Sequence, residues 1–478
     1  MADKGEGRGY ELVANQLGSG DVAALCLGGM SPTLGIALST PFMAASTGIV
    51  VPFAYLIGTV GVLAAAYAVL VLSRRSASAG VAFNYLGAIF GKRFGFLAGW
   101  LHSGAWLVLV PIVDAVAAVS LSAFLSSFHV TIPWFPLFLL LLAISFLLSY
   151  FGVRLSIRTQ MFIELGSMLF ITVVMLVVLF KGGSGGLSLA PFNPANGTGG
   201  IGGIGFGLLF AFSSFQGWEA GASLGKEAKD PHKSVPRGIL GAILVSAVFF
   251  VIVSYGLASG FGVDHAAQWG KDSTPLGTIA SRYTNSGVGS LTNLLVAISA
   301  FSDGLAGLAL TSRVYHSMSS HGLGLNWLRR VHPRHKTPYA GIIVTAGVGF
   351  LLGFAFALPA GELDFTGVLT GANTIAFQLV YLLMAVGALW LFLPQVRNIG
   401  TALLRVGVPA VAIVLLGYAI YGSTYPPPPF PLNLAAPVFA VWVVIGLVLM
   451  YVIRNRGTAP TLDDVGPSAG EAEYASVV

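Results

Sequence analysis

The chain has 478 residues, of which 55% are hydrophobic and only 9% charged, with a formal net charge of +6 and a mean hydropathy of +0.84. Soluble domains carry about 25% charged residues, so this surface cannot be covered in water, which excludes a soluble enzyme, a disordered chain and a coiled coil. A bilayer core about 30 Å thick takes about 20 apolar residues per helical span, so the length fits an all-α polytopic membrane protein of about a dozen spans. The single cysteine, Cys26, excludes an internal disulfide and a cysteine metal cluster, and reads as a small buried apolar residue. The first twenty residues hold Lys4 and Arg8 but not the short apolar run and small-residue cleavage site of a signal peptide.

Apolar runs bounded by Gly, Pro and charge predict twelve transmembrane helices, at 22–45, 49–73, 95–125, 133–152, 159–181, 201–224, 236–261, 289–318, 338–358, 364–393, 402–422 and 433–453. They divide the chain into an N-terminal segment (1–20), five spans (21–181), a linker (182–200), five more spans (201–394), two appended spans (395–453) and a tail (454–478). The glycines between 182 and 205 read as a flexible linker, because a phosphate-cradling loop needs a strand before it. The four prolines of Tyr425–Phe430 predict a stiff turn, and the polar, acidic tail predicts disorder.

Lys and Arg set the orientation. With a cytoplasmic N-terminus and alternating spans, one side receives 21 of the 24 basic residues and the other only Lys181, Lys271 and Arg282. Cationic loops stay cytoplasmic, so both termini are expected in the cytoplasm of a cell-membrane protein. The basic balance is then topological and not a nucleic-acid footprint; contact with anionic lipid is a by-product.

Two spans are interrupted. The first reads Leu27-Gly28-Gly29-Met30-Ser31-Pro32-Thr33-Leu34-Gly35-Ile36, the sixth Phe212-Ser213-Ser214-Phe215-Gln216-Gly217-Trp218-Glu219. Non-helical backbone at membrane depth is tolerated only where it lines a cavity or is buried in protein. Matching breaks in two halves of a bundle point to a transporter's midplane site. Unpaired N–H groups at a half-helix N-terminus suit a carboxylate, and unwound carbonyls suit an ammonium or a cation. An α-amino acid offers both groups on one carbon.

Four stretches carry a family resemblance. The first is Pro32, Pro41, Ser46-Thr47-Gly48 and Pro52; the second is Arg75, Ser78-Ala79-Gly80, Tyr85, Gly95-Phe96 and Gly99-Trp100. The third and most specific runs from Phe215-Gln216-Gly217-Trp218-Glu219 through Lys226-Glu227 and Asp230-Pro231 to Pro236-Arg237; a weaker fourth is Ser299, Phe301, Leu305-Ala306, Arg313, Gly322 and Thr337-Pro338. Together they resemble the amino acid–polyamine–organocation superfamily from about residue 20 to 453. The resemblance implies two inverted five-helix repeats plus two C-terminal helices. It also implies a bundle of spans one, two, six and seven that tilts against a scaffold of three, four, eight and nine. The sequence departs at the family's G-[ST]-G, which falls on Leu34-Gly35-Ile36, and at a span-five lysine of some proton-coupled relatives, which falls on Ser167.

Ionisable residues within spans are costly and mark sites. Glu219 follows the sixth-span break at a family position linked to proton coupling and gating, with capping of amides or an Arg partner as its structural alternative. Asp303 falls where span eight approaches span one, the region in which relatives hold a coupling cation. Asp114, two turns beyond Trp106, either attracts an amino group or makes a packing hydrogen bond. Glu164 is expected to pair with Arg158, and His102 to be hydrogen-bonded. Phe215 and Trp106 are candidates for covering and walling a bound side chain. The loop histidines His316, His321, His332 and His335 match no metal spacing.

The expected function is a permease, a secondary active transporter of a small amino acid or related amine. It would be held by Ser31, Pro32, Thr33, Leu34, Gly35, Ile36, Trp106 and Ser213, Ser214, Phe215, Gln216, Gly217, with Glu219, Asp303 and Asp114 in ion coupling or gating. No G-x-x-x-x-G-K-[ST] loop for ATP is present. The energy is therefore expected from a proton, another coupling ion or exchange, with no other cofactor, no metal and no enzymatic reaction. Expected partners are the solute and the bilayer, in a monomer or homodimer. A polyamine- or ethanolamine-like cation is the alternative cargo. A channel and a sensor are alternatives of another class, without a repeated filter sequence or a cytoplasmic domain to favour them.

Overall fold

Pro32 has no N–H and its ring crowds the carbonyl four residues back, so the first apolar run forms two helices, Ser19–Met30 (α1) and Pro32–Thr47 (α2). The computed structural model describes residues 18–73, 81–152, 157–226, 228–320, 325–335 and 337–452, which contain no β-strand. Val51–Ser73 (α3), Val81–Phe90 (α4), Lys92–Ser126 (α5), Trp134–Tyr150 (α6) and Ile157–Phe180 (α7) follow. Gly200–Ser214 (α8) continues past a turn as a 3-10 helix, Trp218–Lys226; Pro231–Phe261 (α9) then starts with proline at its first position, where a missing N–H costs nothing. Two short helices, Ala266–Trp269 (α10) and Pro275–Tyr283 (α11), precede Ser286–Ser320 (α12). The rest comprises Tyr339–Leu352 (α13), Leu358–Ala360 (α14), Glu362–Phe392 (α15), Ile399–Ala402 (α16), Val408–Gly422 (α17) and Ala435–Val452 (α18).

Among the described residues, ten helical stretches are long and apolar enough to cross a membrane, and α6 and most of α8 are shorter apolar helices where the sequence places spans four and six. The fold is thus that of an all-helical polytopic membrane protein. The N-terminal segment to residue 17, the tail from 453, and Arg74, Arg75, Arg154, His321, Lys336, Arg454 and Arg456 lie outside the described residues, as do Ser78-Ala79-Gly80, Glu227 and Gly322 of the family stretches.

The helices pack in two sets. In one, α1 and α3 lie on α9, and α2 and α3 on α8; in the other, α5 and α12 form the core, flanked by α6 and α13. Helix α7 bridges them through α1, α9 and α12, and α15 bridges them through α5, α3 and α8. The linker is not loose. Ser184 N donates to Ser259 O (2.9 Å) and Thr198 N to Thr47 O (3.1 Å), pinning it to the ends of α9 and α2. Outward faces expose Phe162, Leu169, Phe180, Trp390, Val414 and Val441, as lipid contact requires.

The last helix is stapled to α5 by a pair of tryptophans. Trp100 and Trp442 stack at 4.2 Å and 9°, each indole N–H donating to the other's carbonyl (2.9 and 3.2 Å). The rings approach because each lies over a glycine: a Cβ at Gly446 would meet Trp100, and one at Gly104 would meet Trp442. Overpacking such a contact costs about 1–3 kcal/mol. Gly446→Leu is therefore expected to lower the thermal unfolding midpoint in detergent, while Gly417→Ala, whose Cβ enters open space, leaves it unchanged or raises it.

Candidate functional site

The first break is confined to one residue. Ser31 adopts φ 40°, ψ 63°, in the left-handed region, and its N–H still bonds Leu27 O at 3.0 Å. The Ser31 hydroxyl donates to Gly28 O (3.1 Å), the carbonyl that Pro32 would have served had it an N–H. Pro32 to Ile36 form the first turn of α2, so the unwound stretch is shorter than the sequence reading assigned. The α2 amides are engaged: Thr33 N donates to Glu164 Oε1 (2.6 Å), Leu34 N to Ser299 Oγ (3.3 Å) and Gly35 N to Ser31 O (2.9 Å). Ser299 in turn donates to Glu164 Oε2 (2.7 Å).

The second break is a tight turn at Phe215, Gln216 and Gly217. Phe215 N and Gln216 N bond Phe212 O and Ser213 O (3.2 and 3.1 Å), and Ala220 N picks up Gly217 O (3.1 Å) to start the 3-10 helix. Gly217 has φ +95°, and a Cβ there would collide with the Gly29 carbonyl of α1. At Gly35 a Cβ would come 3.0 Å from Ser214 O. The two breaks therefore meet backbone to backbone, and glycine is what lets them. Ser214 ties them further, donating to Gly35 O (3.1 Å) beside the Tyr55 hydroxyl (2.9 Å). Further along α2, a crevice of about 20 Å³ lined by Leu38, Pro41, Phe42, Val119, Glu362 and Thr366 is no larger than a water.

Glu219, buried in the 3-10 helix, gathers a polar cluster. Tyr381 of α15 donates to Glu219 Oε2 at 2.7 Å, and His102 Nε2 of α5 lies 3.4 Å from Oε1. The indole N–H of Trp106, which can only donate, reaches the same His102 Nε2 at 3.0 Å. That nitrogen then holds its lone pair, so by hydrogen-bond logic the ring proton sits on Nδ1. Two acceptors, Nε2 and Oε1, then face each other at 3.4 Å. Protonating Nε2 removes the acceptor of Trp106, so proton and indole compete for one nitrogen. Phe377 packs edge-on against both rings (5.4 Å to each).

Three other carboxylates, Glu164, Asp303 and Asp114, are buried on α7, α12 and α5. Glu164 is buried in α7 and does not pair with Arg158; Arg158 faces Asp21 instead (3.6 Å), with its side chain 76% exposed. The physical reason is helix phase: six residues put Arg158 and Glu164 on different faces, whereas pairs meet at three or four. Asp303 is 4% exposed, lies beside Ser31 within electrostatic reach of Glu164 and Asp114, and leaves Oδ1 without a hydrogen-bond partner among the described residues. Asp114 accepts from Ser145 of α6 (3.3 Å) and packs against Gly304.

Of the expected site residues, Ser31, Thr33, Leu34, Gly35 and Ser214 to Gly217 meet at the breaks. Ile36 is core, and Ser213 is half-buried with its carbonyl serving the turn. Phe215 packs at 89° on Phe250 of α9, 4.9 Å away, so it and Trp106 do not share a wall. The sequence reading missed Tyr55, Ser299 and the α15 face, where Gln216 Nε2 donates to Thr374 (3.1 Å), Asn373 to Ala105 O (2.7 Å) and Gln378 to Leu209 O (3.4 Å). Thr370, Asn373, Thr374, Gln378 and Tyr381 recur at helical spacing in an otherwise apolar span, a signal that was available. His332 Nδ1 accepts from Arg334 N and His335 N (3.3 and 3.1 Å), and among the described residues no group of His, Cys, Asp or Glu is arranged to hold a metal.

Paired breaks of this kind define a membrane transporter, and residues 17–450 match the amino acid permease family model. The chain belongs to that family and is a transporter, not an enzyme. It is 24% identical to the branched-chain amino acid permease BcaP of Bacillus subtilis over 473 residues, covering 94% of this chain and 95% of that one. It is likewise 24% identical to BcaP of Lactococcus lactis over 463 residues (91% and 94%). It is 29% identical to L-asparagine permease 2 of Mycobacterium bovis over 295 residues (59% and 58%).

Both the positive φ and the Gly29 contact make Gly217 irreplaceable. Gly217→Ala, at a strain of about 1–2 kcal/mol before any collision, is expected to cut solute uptake in reconstituted vesicles at least about tenfold. Gly241→Ala, whose Cβ meets nothing, should match the unaltered protein in the same assay.

Proposed function

We propose that the chain carries a small amino acid across the cell membrane by alternating access, coupled to protons. Twelve spans in two inverted five-helix repeats, with two peripheral C-terminal helices and both termini cytoplasmic, form its architecture, as a monomer or homodimer. The observation that carries the reading is the meeting of two helix breaks, Ser31 in the first span and Phe215–Gly217 in the sixth, beside a buried carboxylate. The named substrates of the relatives, branched-chain amino acids and asparagine, differ in side chain and share only the zwitterionic head. Half-helix amides and carbonyls are suited to that head. Parting α2 from α8 would bare the main chain of Ser31–Ile36 and Ser213–Gly217, with Trp106 at one wall. Asp303 and Asp114 would hold the ammonium or the coupling ion.

Glu219 and His102 supply the coupling position. With a proton between them, Trp106 competes for the same nitrogen; without it, Trp106 keeps its bond and the wall stays fixed. Loading of that proton is thereby tied to the position of a pocket residue. In proteoliposomes, an inward proton gradient should drive accumulation of labelled leucine or asparagine, and Glu219→Gln should weaken this accumulation while counterflow exchange persists. Gradient-driven accumulation undiminished in Glu219→Gln removes Glu219 from coupling.

A further inference from the structure

The amides expected to receive the solute's carboxylate already hold a carboxylate of the protein. Glu164 takes Thr33 N–H directly and the Ser299 hydroxyl, and Ser299 takes Leu34 N–H, so the open end of α2 is filled through one short charged bond and one relay. This is the arrangement an anion adopts at a helix N-terminus. It is built from a residue 131 positions away. A second observation points the same way: Asp303, beside Ser31, is almost wholly buried with Oδ1 unpartnered, an acceptor next to the cradle that suits an ammonium.

From this geometry we infer that Glu164 is the protein's internal stand-in for the substrate carboxylate, and that an amino acid binds by displacing it and giving it a proton. The inference rests on the amino acid reading above. The exchange balances. The substrate carboxylate takes the Thr33 and Leu34 amides, and Glu164 leaves them. A buried carboxylate stripped of its donors, with no cation at hand, is costly. A proton from the water facing the site forms an O–H bond on Glu164, so the buried negative charge is unchanged and one proton travels with each solute.

The surroundings leave few other proton acceptors. Helix α2 has no titratable side chain. On α1, Asp21 faces Arg158, and Cys26 donates to the Trp218 carbonyl. On α9, His232 and Arg237 are exposed, Lys233 pairs with Asp230, and Tyr255 reaches Ser188 O. On α11, Arg282 and Tyr283 both reach Gly260 O. That leaves Asp303 of α12, with Asp114 of α5 behind it, as the charged group facing Glu164.

The proton of Glu164 answers to the ligand's carboxylate, which separates it from the one held by Glu219 and His102. Proton uptake on binding is read with a pH dye in weak buffer, using purified protein with L-leucine, L-asparagine or 3-methylbutylamine (leucine without its carboxylate). Unaltered protein should take up about one proton per amino acid bound and none per amine. Glu164→Gln should still bind the amino acid but lose the proton taken up on binding. Ser299→Ala, which keeps the carboxyl and removes one donor, should retain the uptake and bind the amino acid about tenfold more tightly. Equal uptake by Glu164→Gln and the unaltered protein, or equal uptake with the amine, overturns the assignment of Glu164. Failure of the unaltered protein to bind either amino acid overturns the amino acid reading itself.

Discussion

A backbone amide or carbonyl left unpaired in lipid costs several kcal/mol, and the centre of this protein is organised around two places where helices stop pairing their own. At the first, Pro32 removes an N–H, and the Ser31 side chain replaces it on Gly28 O. The amides exposed one turn later draw Glu164 and Ser299 from two other helices. At the second, Gly217 turns the chain back through a positive φ, and the absent Cβ admits the α1 backbone. Side chains that would be ordinary in continuous helices are thereby recruited as capping groups, and a cap is a contact that a ligand of the same chemistry can replace.

Charge follows the same logic. Among the described residues the ion pairs of fixed charges are Arg158 with Asp21 and Lys233 with Asp230, each with an exposed basic side chain, while His102 faces Glu219 in the interior. Asp114, Glu164 and Asp303 are held by hydroxyls and amides, with no lysine or arginine among their partners. Carboxylates kept inside a membrane bundle without fixed cations are costly, and on the proposed function they would be positions for a mobile cation, a proton or the amino group of a cargo. Two of them reach the break in the first span, Glu164 at Thr33 and Asp303 at Ser31.

Much of this was legible in the chain. Glycines around a proline in the first span, and Phe215-Gln216-Gly217-Trp218-Glu219 in the sixth, mark breaks because their backbone chemistry is local. Membrane carboxylates stand out because so few charges are present. What escaped was non-local. Helix phase turns Glu164 away from the arginine that sequence proximity offered, and only the packing of α7 against α2 and α12 brings it to Thr33 and Ser299. The extent of unwinding also escaped: Leu34-Gly35-Ile36 stays helical, and Gly35 is small for the sake of Ser214 rather than for a ligand. Asn373, Thr374 and Gln378 carry no charge to stand out in the sequence, although their spacing marks a polar face.

The break at Ser31 and the carboxylate that caps the helix beyond it underlie the rest of the site. Cryo-electron microscopy of the protein in nanodiscs without solute, at a resolution that shows side chains, tests both at once. The account predicts two helices meeting at Ser31, with density joining Glu164 to the Thr33 amide and to Ser299. A helix continuous from Leu27 to Ile36, with Glu164 turned to Arg158, would contradict it.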